Sequence, residues 1–279
     1  MKYKEAYFNG KDGTPRFFRT WSPDTDPKGI VVISHGYAEH SGRYEAFAHR
    51  LLAENFAVWA HDHYGHGRSE GSRALIKRIE LAAVDLVTAM ETASALYNEK
   101  PLFLYGHSMG GAIAALAAIE NQDLLSGIIF SAAAIRIMHT SPAPVRAVAR
   151  LMRLFSPALP LIPFHIEHLS KSEDVIEAYR NDPLTYTGKM KVAMALEMVE
   201  AEKMLSSEAL SRIKVPVLIL HGEEDKAVPP KSSRQLYELI ASENKTLRFF
   251  ENAYHEIHNE ECAEELYGLV SGWLRQLSE

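Results

Sequence analysis

The sequence predicts an α/β protein: a mostly parallel, doubly wound sheet with one helical segment inserted between two of its strands. Three observations lead there. Short β-branched runs of the fully buried type alternate with segments whose apolar residues recur at helical spacing. That alternation is the signature of strand–helix–strand units, which place helices on both faces of a parallel sheet. It stops over residues 135–205 and then resumes, so the interruption reads as an insertion into one sheet: a core of 1–134 and 206–279 carrying a segment of 135–205.

The elements follow in order. Residues 3–8 and 16–21 form a hairpin around the turn-rich Asn9-Gly10-Lys11-Asp12-Gly13. After Pro23 and Pro27, residues 29–34 are a short buried-type strand, and Tyr44, Phe47 and Leu51 then recur at helical spacing. A strand over 56–60 precedes a long helix in which Ile79, Ala83, Leu86, Met90, Ala93 and Tyr97 step by four and three. Pro101 opens a strand at 102–105, followed by a small-residue helix at 110–120 and a strand at 127–131. Within the insertion no strand-like run occurs; prolines at 142, 144, 157, 160 and 163 separate apolar helical pieces such as 145–155. Alternation returns with a strand at 215–220, a helix at 232–240, a strand at 246–250 and a final amphipathic helix.

Composition excludes several classes. A chain of 279 residues fits one large domain, burying roughly 75% of the surface its unfolded form exposes. Its 47% hydrophobic and 24% charged residues are those of an ordinary globular protein. A net charge of −6 removes the electrostatic footprint of a nucleic-acid binder. The single cysteine, Cys262, allows neither a disulfide framework nor a multi-cysteine zinc site, and fits a reducing, cytoplasmic compartment. The opening MKYKEAYFNG lacks the apolar run of a signal peptide. The longest apolar stretch, 127–135, falls short of the ~20 residues that span a bilayer. The unusual count is thirteen histidines. Nine of them (His35, His40, His61, His63, His66, His107, His221, His255 and His258) fall at or just after expected strand ends. In an open parallel sheet that is the ligand-binding edge; one histidine suffices for catalysis, and the surplus reads as polar loops around it.

Gly106-His107-Ser108-Met109-Gly110 fits the nucleophile-elbow pattern, in the strand–turn–helix setting that pattern requires. A serine on so sharp a turn is strained, and the small residues at 106 and 110 leave room for the turn to close. Serine needs a base, and the base an acid to orient it. In this architecture the chain order is serine, acid, histidine, each after a strand. The strand at 215–220 runs into His221-Gly222-Glu223-Glu224-Asp225, and the strand at 246–250 into Glu251-Asn252-Ala253-Tyr254-His255. Asp225 is preferred because a short turn folds it back over its strand end, with Glu223 and Glu224 as competitors. His255 is preferred to His258 because it lies closer to its strand. The oxyanion donors are expected to be the backbone N–H of Met109 and, after a turn at Gly36, that of Tyr37. A rival constellation, His61-Asp62-His63-Tyr64-Gly65-His66, has zinc-ligand residue types. Strand alternation turns Asp62 away from His61 and His63, however, so no metal is expected.

The chain resembles the α/β-hydrolase superfamily and, within it, the monoacylglycerol lipase and lysophospholipase-like group. The matching blocks are His35-Gly36-Tyr37-Ala38-Glu39-His40-Ser41-Gly42-Arg43-Tyr44, Gly106 through Gly111, Asn181-Asp182-Pro183-Leu184, Gly222-Glu223-Glu224-Asp225 and Ala253-Tyr254-His255-Glu256-Ile257-His258. The resemblance implies an eight-stranded sheet with a helical cap, a triad of Ser108, Asp225 and His255, oxyanion donors Tyr37 and Met109, and no cofactor. It places Glu39, Arg43 and His258 at the polar, head-group end of the pocket, joined by Tyr179 from the insertion. Tyr37 and Val228 stand where animal members carry a small residue and a cysteine. The implied activity is hydrolysis of monoacylglycerol or a similar mono-acyl lipid ester, lysophospholipid included, with small-ester carboxylesterase, thioesterase and peptidase as alternatives in the same fold. A non-catalytic ligand-binding protein is the reading from another class.

The residues support a lipid substrate independently. Between 124 and 166 there is no Asp or Glu, yet Arg136, Arg146, Arg150 and Arg153 interleave with Val145, Val148, Leu151, Met152, Leu154 and Phe155. A basic amphipathic helix near a site mouth suits peripheral contact with an anionic membrane. The same apolar character equally suits a cap packed over an acyl channel.

Overall fold

Residues 1–98, 100–135 and 156–278 are described by the computed structural model. Its strands are β1 (Lys2–Asn9), β2 (Pro15–Ser22), β3 (Gly29–Ser34), β4 (Phe56–His61), β5 (Leu102–His107), β6 (Gly127–Ser131), β7 (Pro160–Ile162), β8 (Met190–Lys191), β9 (Val217–Gly222) and β10 (Lys245–Phe250). Eight of them form one sheet in the order β1-β2-β4-β3-β5-β6-β9-β10. Only β2 runs against its neighbours; the rest pair in parallel. The helices are α1 (Glu45–Ala53), α2 (Ile79–Leu96), α3 (Met109–Asn121), α4 (Glu173–Asn181), α5 (Val192–Met204), α6 (Ser207–Leu210), α7 (Lys231–Leu239) and α8 (Ala263–Ser278). This is the α/β-hydrolase fold.

Double winding follows from the strand sequences. Successive side chains of a strand point to opposite faces, and β3 and β5 are buried at every step. Ile30, Val32, Leu102 and Leu104 join one core cluster with Leu86 and Met90 of α2 and Ile113 of α3. Val31, Ile33, Phe103 and Tyr105 join the other with Leu51 of α1 and Leu266 and Leu274 of α8. Each face therefore needs a helical cover. Phe103 is fully buried, and truncating such a ring to alanine costs about 3–5 kcal/mol.

Two boundaries shift from expectation. The strand expected at 215–220 begins two residues later, because Pro216 has no N–H for the ladder, although its carbonyl accepts from Ile128 N at 2.9 Å. It also runs on to Gly222. The insertion is not purely helical: β7 and β8 pair antiparallel, and such short strands are too brief to show a period. The helix expected at 145–155 lies outside the described residues. α5 is packed into the core through Met194, Met198 and Ala201, and its Glu197 accepts from Ile79 N at 2.8 Å, at the start of α2. Among the described residues no helix is long and apolar enough to cross a membrane.

Strand order reverses at β3, which has β4 on one side and β5 on the other. Ser34 pairs with Gly106 at the carboxyl ends of these two strands. The loop after β3 and the turn after β5 are thereby side by side at the switch point, where open α/β sheets bind ligands.

Candidate active site

Ser108 is the single residue between β5 and α3, with φ 53° and ψ −120°. That backbone conformation costs an L-residue on the order of 1–3 kcal/mol unless its surroundings impose it. Here Ser108 N donates to Ser131 O at 3.0 Å, and Ser108 O accepts from Gly111 N and Ala134 N at 2.9 Å each. The flanking glycines are required for close approach. A Cβ on Gly110 would stand 2.0 Å from Ser34 O, and one on Gly106 would stand 2.7 Å from Ala114 Cβ.

Asp225 and His255 meet where β9 and β10 end. His255 Nδ1 donates to Asp225 Oδ2 at 2.7 Å. The other carboxylate oxygen accepts from Ala227 N at 2.7 Å and Val228 N at 2.9 Å. Burial alone would raise the Asp225 carboxyl, but the His255 charge and hydrogen bonds from His221 and His255 hold it well below the usual carboxylate range. Burial pulls His255 down, while the charge and hydrogen bond of Asp225 outweigh it, so the imidazole is more basic than usual. Glu223 and Glu224 are exposed on the same turn, and Glu224 pairs with Lys171 at 2.9 Å.

His221 is a contact that sequence reasoning did not single out. Its Nε2 lies 3.0 Å from Val228 O and 3.0 Å from Asp225 Oδ2. A carbonyl can only accept, so Nε2 carries the proton and Nδ1 accepts from Ser233 Oγ, 2.6 Å away. The signal was present: His221 precedes Asp225 by four residues at the same strand end.

The loop after β3 is held from several directions. His35 Nε2 accepts from His63 N at 3.0 Å; His35 Nδ1 therefore donates to Gly36 O, at 2.8 Å. In a planar trans peptide the N–H lies opposite the carbonyl, so His35 sets the direction of the Tyr37 N–H. Gly36 N donates to Glu39 Oε1 at 2.5 Å. The loop passes so near the nucleophile turn that a Cβ on Gly36 would lie 3.2 Å from Ser108 Cβ. Among the described residues the Tyr37 amide makes no backbone hydrogen bond.

Ser108, His255, Tyr37, Met109 and Glu39 all line one cavity of about 330 Å³. Much of the wall is apolar: Ala134, Ile162, Phe164, Leu169, Met198 and Val228. Tyr37 fills part of the space a small residue would leave, its ring edge-on to Phe164 at 5.3 Å. The polar part of the wall includes Glu39 and Glu256, with Lys226, His165 and His168 also lining the cavity. Arg43, Tyr179 and His258 do not reach it. The Arg43 guanidinium sits behind, donating through both terminal nitrogens to Glu256, one bond at 2.8 Å, and to Glu39 at 3.2 Å. Glu256 is thereby ionised: burial opposes its charge, but Arg43 holds its carboxyl low. Burial and the neighbouring Glu256 charge raise Glu39, with Arg43 only partly offsetting them. Tyr179 donates to Ala38 O at 2.7 Å, and His258 stacks on Tyr44 at 4.8 Å. Both were assigned to the head group by resemblance; their polar atoms are directed into the protein.

All nine strand-end histidines are buried, so they are not part of solvated polar loops. In the block with zinc-ligand residue types, Asp62 is a loop staple: Oδ1 accepts from Ser41 N at 2.8 Å and Ser41 Oγ at 2.6 Å, and Oδ2 from Arg68 N at 2.8 Å.

Comparison with known proteins shows the family and the fold. The family model described as serine aminopeptidase, S33 matches residues 25–262. The chain is 34% identical over 268 residues to a human monoglyceride lipase, covering 95% of this chain and 88% of that protein. It is 32% identical over 271 residues to a monoacylglycerol lipase of Mycolicibacterium smegmatis, covering 97% and 96%. Among solved structures, a Paleococcus ferrophilus monoacylglycerol lipase superposes with a TM-score of 0.81 at 29% identity, over 99% of this chain and all of that one.

Proposed function

The chain belongs to the serine hydrolase family described as serine aminopeptidase, S33, and from that premise we propose that it hydrolyses monoacylglycerols through a Ser108 acyl-enzyme. One observation carries the reading: the 2.7 Å Asp225–His255 hydrogen bond fixes the imidazole in the cavity that also exposes Ser108. With Nδ1 bound to Asp225, the His255 Nε2 lone pair is left for the serine proton. Ser108 Oγ attacks the ester carbonyl as His255 takes its proton, and the raised basicity of His255 stabilises the imidazolium that forms. The Tyr37 and Met109 amides receive the oxyanion, the second at the positive end of α3. The C–O bond breaks, His255 protonates the departing alcohol, and water activated by His255 then releases the fatty acid.

The cavity selects the substrate. Its volume lies at the low end of the roughly 300–1,000 Å³ usual for small-molecule sites, and its long wall is apolar, so one acyl chain fits better than the two or three of larger glycerides. The polar end offers carboxylate acceptors to alcohol hydroxyls. An aminopeptidase would have to hold a substrate ammonium there, but the Glu256 charge is already taken by Arg43 and Glu39 is raised toward neutrality. A substrate panel tests this: turnover of monoacylglycerols well above aminoacyl anilide is expected, with loss of fluorophosphonate labelling in Ser108→Ala. Faster anilide than monoacylglycerol turnover would overturn it.

Membrane contact is part of the same proposal. Leu161 and Ile162 are 45% and 38% exposed, and Ile162 also lines the cavity. A lipid monomer leaving a bilayer would meet the protein at this rim.

A further inference from the structure

Tyr179 is nearly fully buried on α4, outside the cavity wall, and its hydroxyl is spent on Ala38 O at 2.7 Å. The same carbonyl accepts from Tyr186 N at 2.9 Å. Ala38 follows Tyr37 directly and has φ 65°, in the left-handed region that L-residues avoid. A loop does not keep such a residue unless something holds it, and here two donors from the insertion hold it. On the other side of Tyr37, the Gly36 peptide is fixed by His35 and Glu39. The Arg43 guanidinium lies 4.6 Å over the Tyr179 ring and joins it to Glu256, the neighbour of His255.

We propose that Tyr179 is a positioning residue for the oxyanion hole: through Ala38 it holds the Tyr37 amide in the direction the tetrahedral oxygen requires. The insertion is then part of the catalytic frame and not only a cover over the acyl chain. The inference rests on Tyr37 being an oxyanion donor, as proposed above, but not on the alcohol being glycerol.

The test is Tyr179→Phe, which keeps the ring and its Arg43 contact and removes the hydroxyl's bond to Ala38 O together with its longer contact to Tyr186 O at 3.4 Å. Turnover is compared on a monoacylglycerol and on a 4-nitrophenyl ester of the same acyl chain, which has no alcohol head group. Loss of one such positioning hydrogen bond lowers kcat about five- to tenfold. The expected result is an equal fall on both esters, with KM little changed and a matching loss of affinity for an alkyl boronic acid that mimics the tetrahedral adduct. A merely structural role would lower the melting temperature and leave boronate affinity and kcat per folded molecule unchanged. A head-group role would raise KM on the monoacylglycerol alone. Either outcome overturns the proposal. Failure of wild-type protein to turn over any monoacylglycerol would instead remove the substrate reading, and the nitrophenyl comparison would still decide the role of Tyr179.

Discussion

Replacing Asp225 with asparagine is the most discriminating single change, because the hydrogen bonds of the site dictate how the amide must sit. Asp225 Oδ1 receives two backbone N–H groups, Ala227 and Val228. An asparagine must keep its carbonyl oxygen there, since an NH₂ would face two donors. Its NH₂ then occupies the Oδ2 position, 2.7 Å from His255 Nδ1 and 3.0 Å from His221 Nε2. Toward His255 it donates, so Nδ1 must become the acceptor and the proton moves to Nε2. That is the wrong tautomer for a base that must accept from Ser108. Toward His221 it sets donor against donor. Tautomer reversal in triads of this kind costs about 10⁴ in kcat, or ~5 kcal/mol of transition-state stabilisation. The assay is kcat on a soluble nitrophenyl ester, normalised to folded protein. Glu223→Gln and Glu224→Gln serve as controls; both side chains are exposed, and each should cost less than about threefold. An Asp225→Asn loss below a hundredfold, or a larger loss in either control, would refute the assignment of the acid.

Other outcomes follow from the same contacts. Because Asp225 raises the basicity of His255, the acid limb of kcat/KM should lie above the ordinary histidine value of about 6.5, since the neutral base is lost sooner as pH falls; a limb below that value in a pH–rate profile would contradict the pairing. His221→Leu removes one of the donors that keep Asp225 ionised, so His255 loses basicity and that limb should move to lower pH, with about a fivefold loss of kcat on the plateau; His221→Gln, which can still donate, should restore much of it. Gly110→Ala forces a Cβ to within 2.0 Å of a backbone oxygen, beyond the roughly 1–3 kcal/mol of ordinary overpacking, and denaturant titration should show a loss of at least that size. Leu161→Asp, at the exposed rim, should reduce co-sedimentation with anionic vesicles while nitrophenyl ester turnover in solution stays unchanged; equal sedimentation would place any membrane contact elsewhere.

The fold was legible because parallel strands buried on both faces have no choice of composition. Ile30-Val31-Val32-Ile33 and Leu102-Phe103-Leu104-Tyr105 can exist only between two helical layers, and their order along the chain sets the switch point. The turn at Ser108 was legible for a similar steric reason, since Gly106 and Gly110 sit where a Cβ would strike backbone or a helix methyl. β7 and β8 were not, being too short for a period to show and pairing across 27 intervening residues. Contacts that join distant segments were equally silent. Nothing local says that Tyr179 reaches Ala38 or that Glu256 takes the Arg43 charge, because such facts depend on how the insertion folds back over the sheet edge. For the same reason a motif could name Arg43 and His258 as neighbours of the substrate while the structure puts Glu39 and Glu256 in front of them.

The nine buried histidines show how the fold sets one imidazole apart from the rest. A parallel sheet ends in loops that must satisfy backbone groups away from water, and a neutral imidazole offers one donor and one acceptor in a rigid ring. His35 uses both in this way, accepting from His63 N and donating to Gly36 O. His35 needs its ring uncharged for this, and burial supplies that here and elsewhere: His35, His40, His61, His63, His66, His107 and His258 are all pushed below the ordinary value, with desolvation the leading cause in each. His255 is equally buried, yet its basicity is raised, because its Nδ1 faces an ionised carboxylate that two backbone amides and His221 keep ionised. Carboxylate contact alone does not achieve this. His40 bonds Asp182 at 2.9 Å and is still lowered, since Asp182 is partly exposed and its charge is screened by solvent. What separates His255 from the others is a carboxylate held in the dry interior by donors of its own, so removing the Asp225 charge should return His255 to the lowered state of its neighbours.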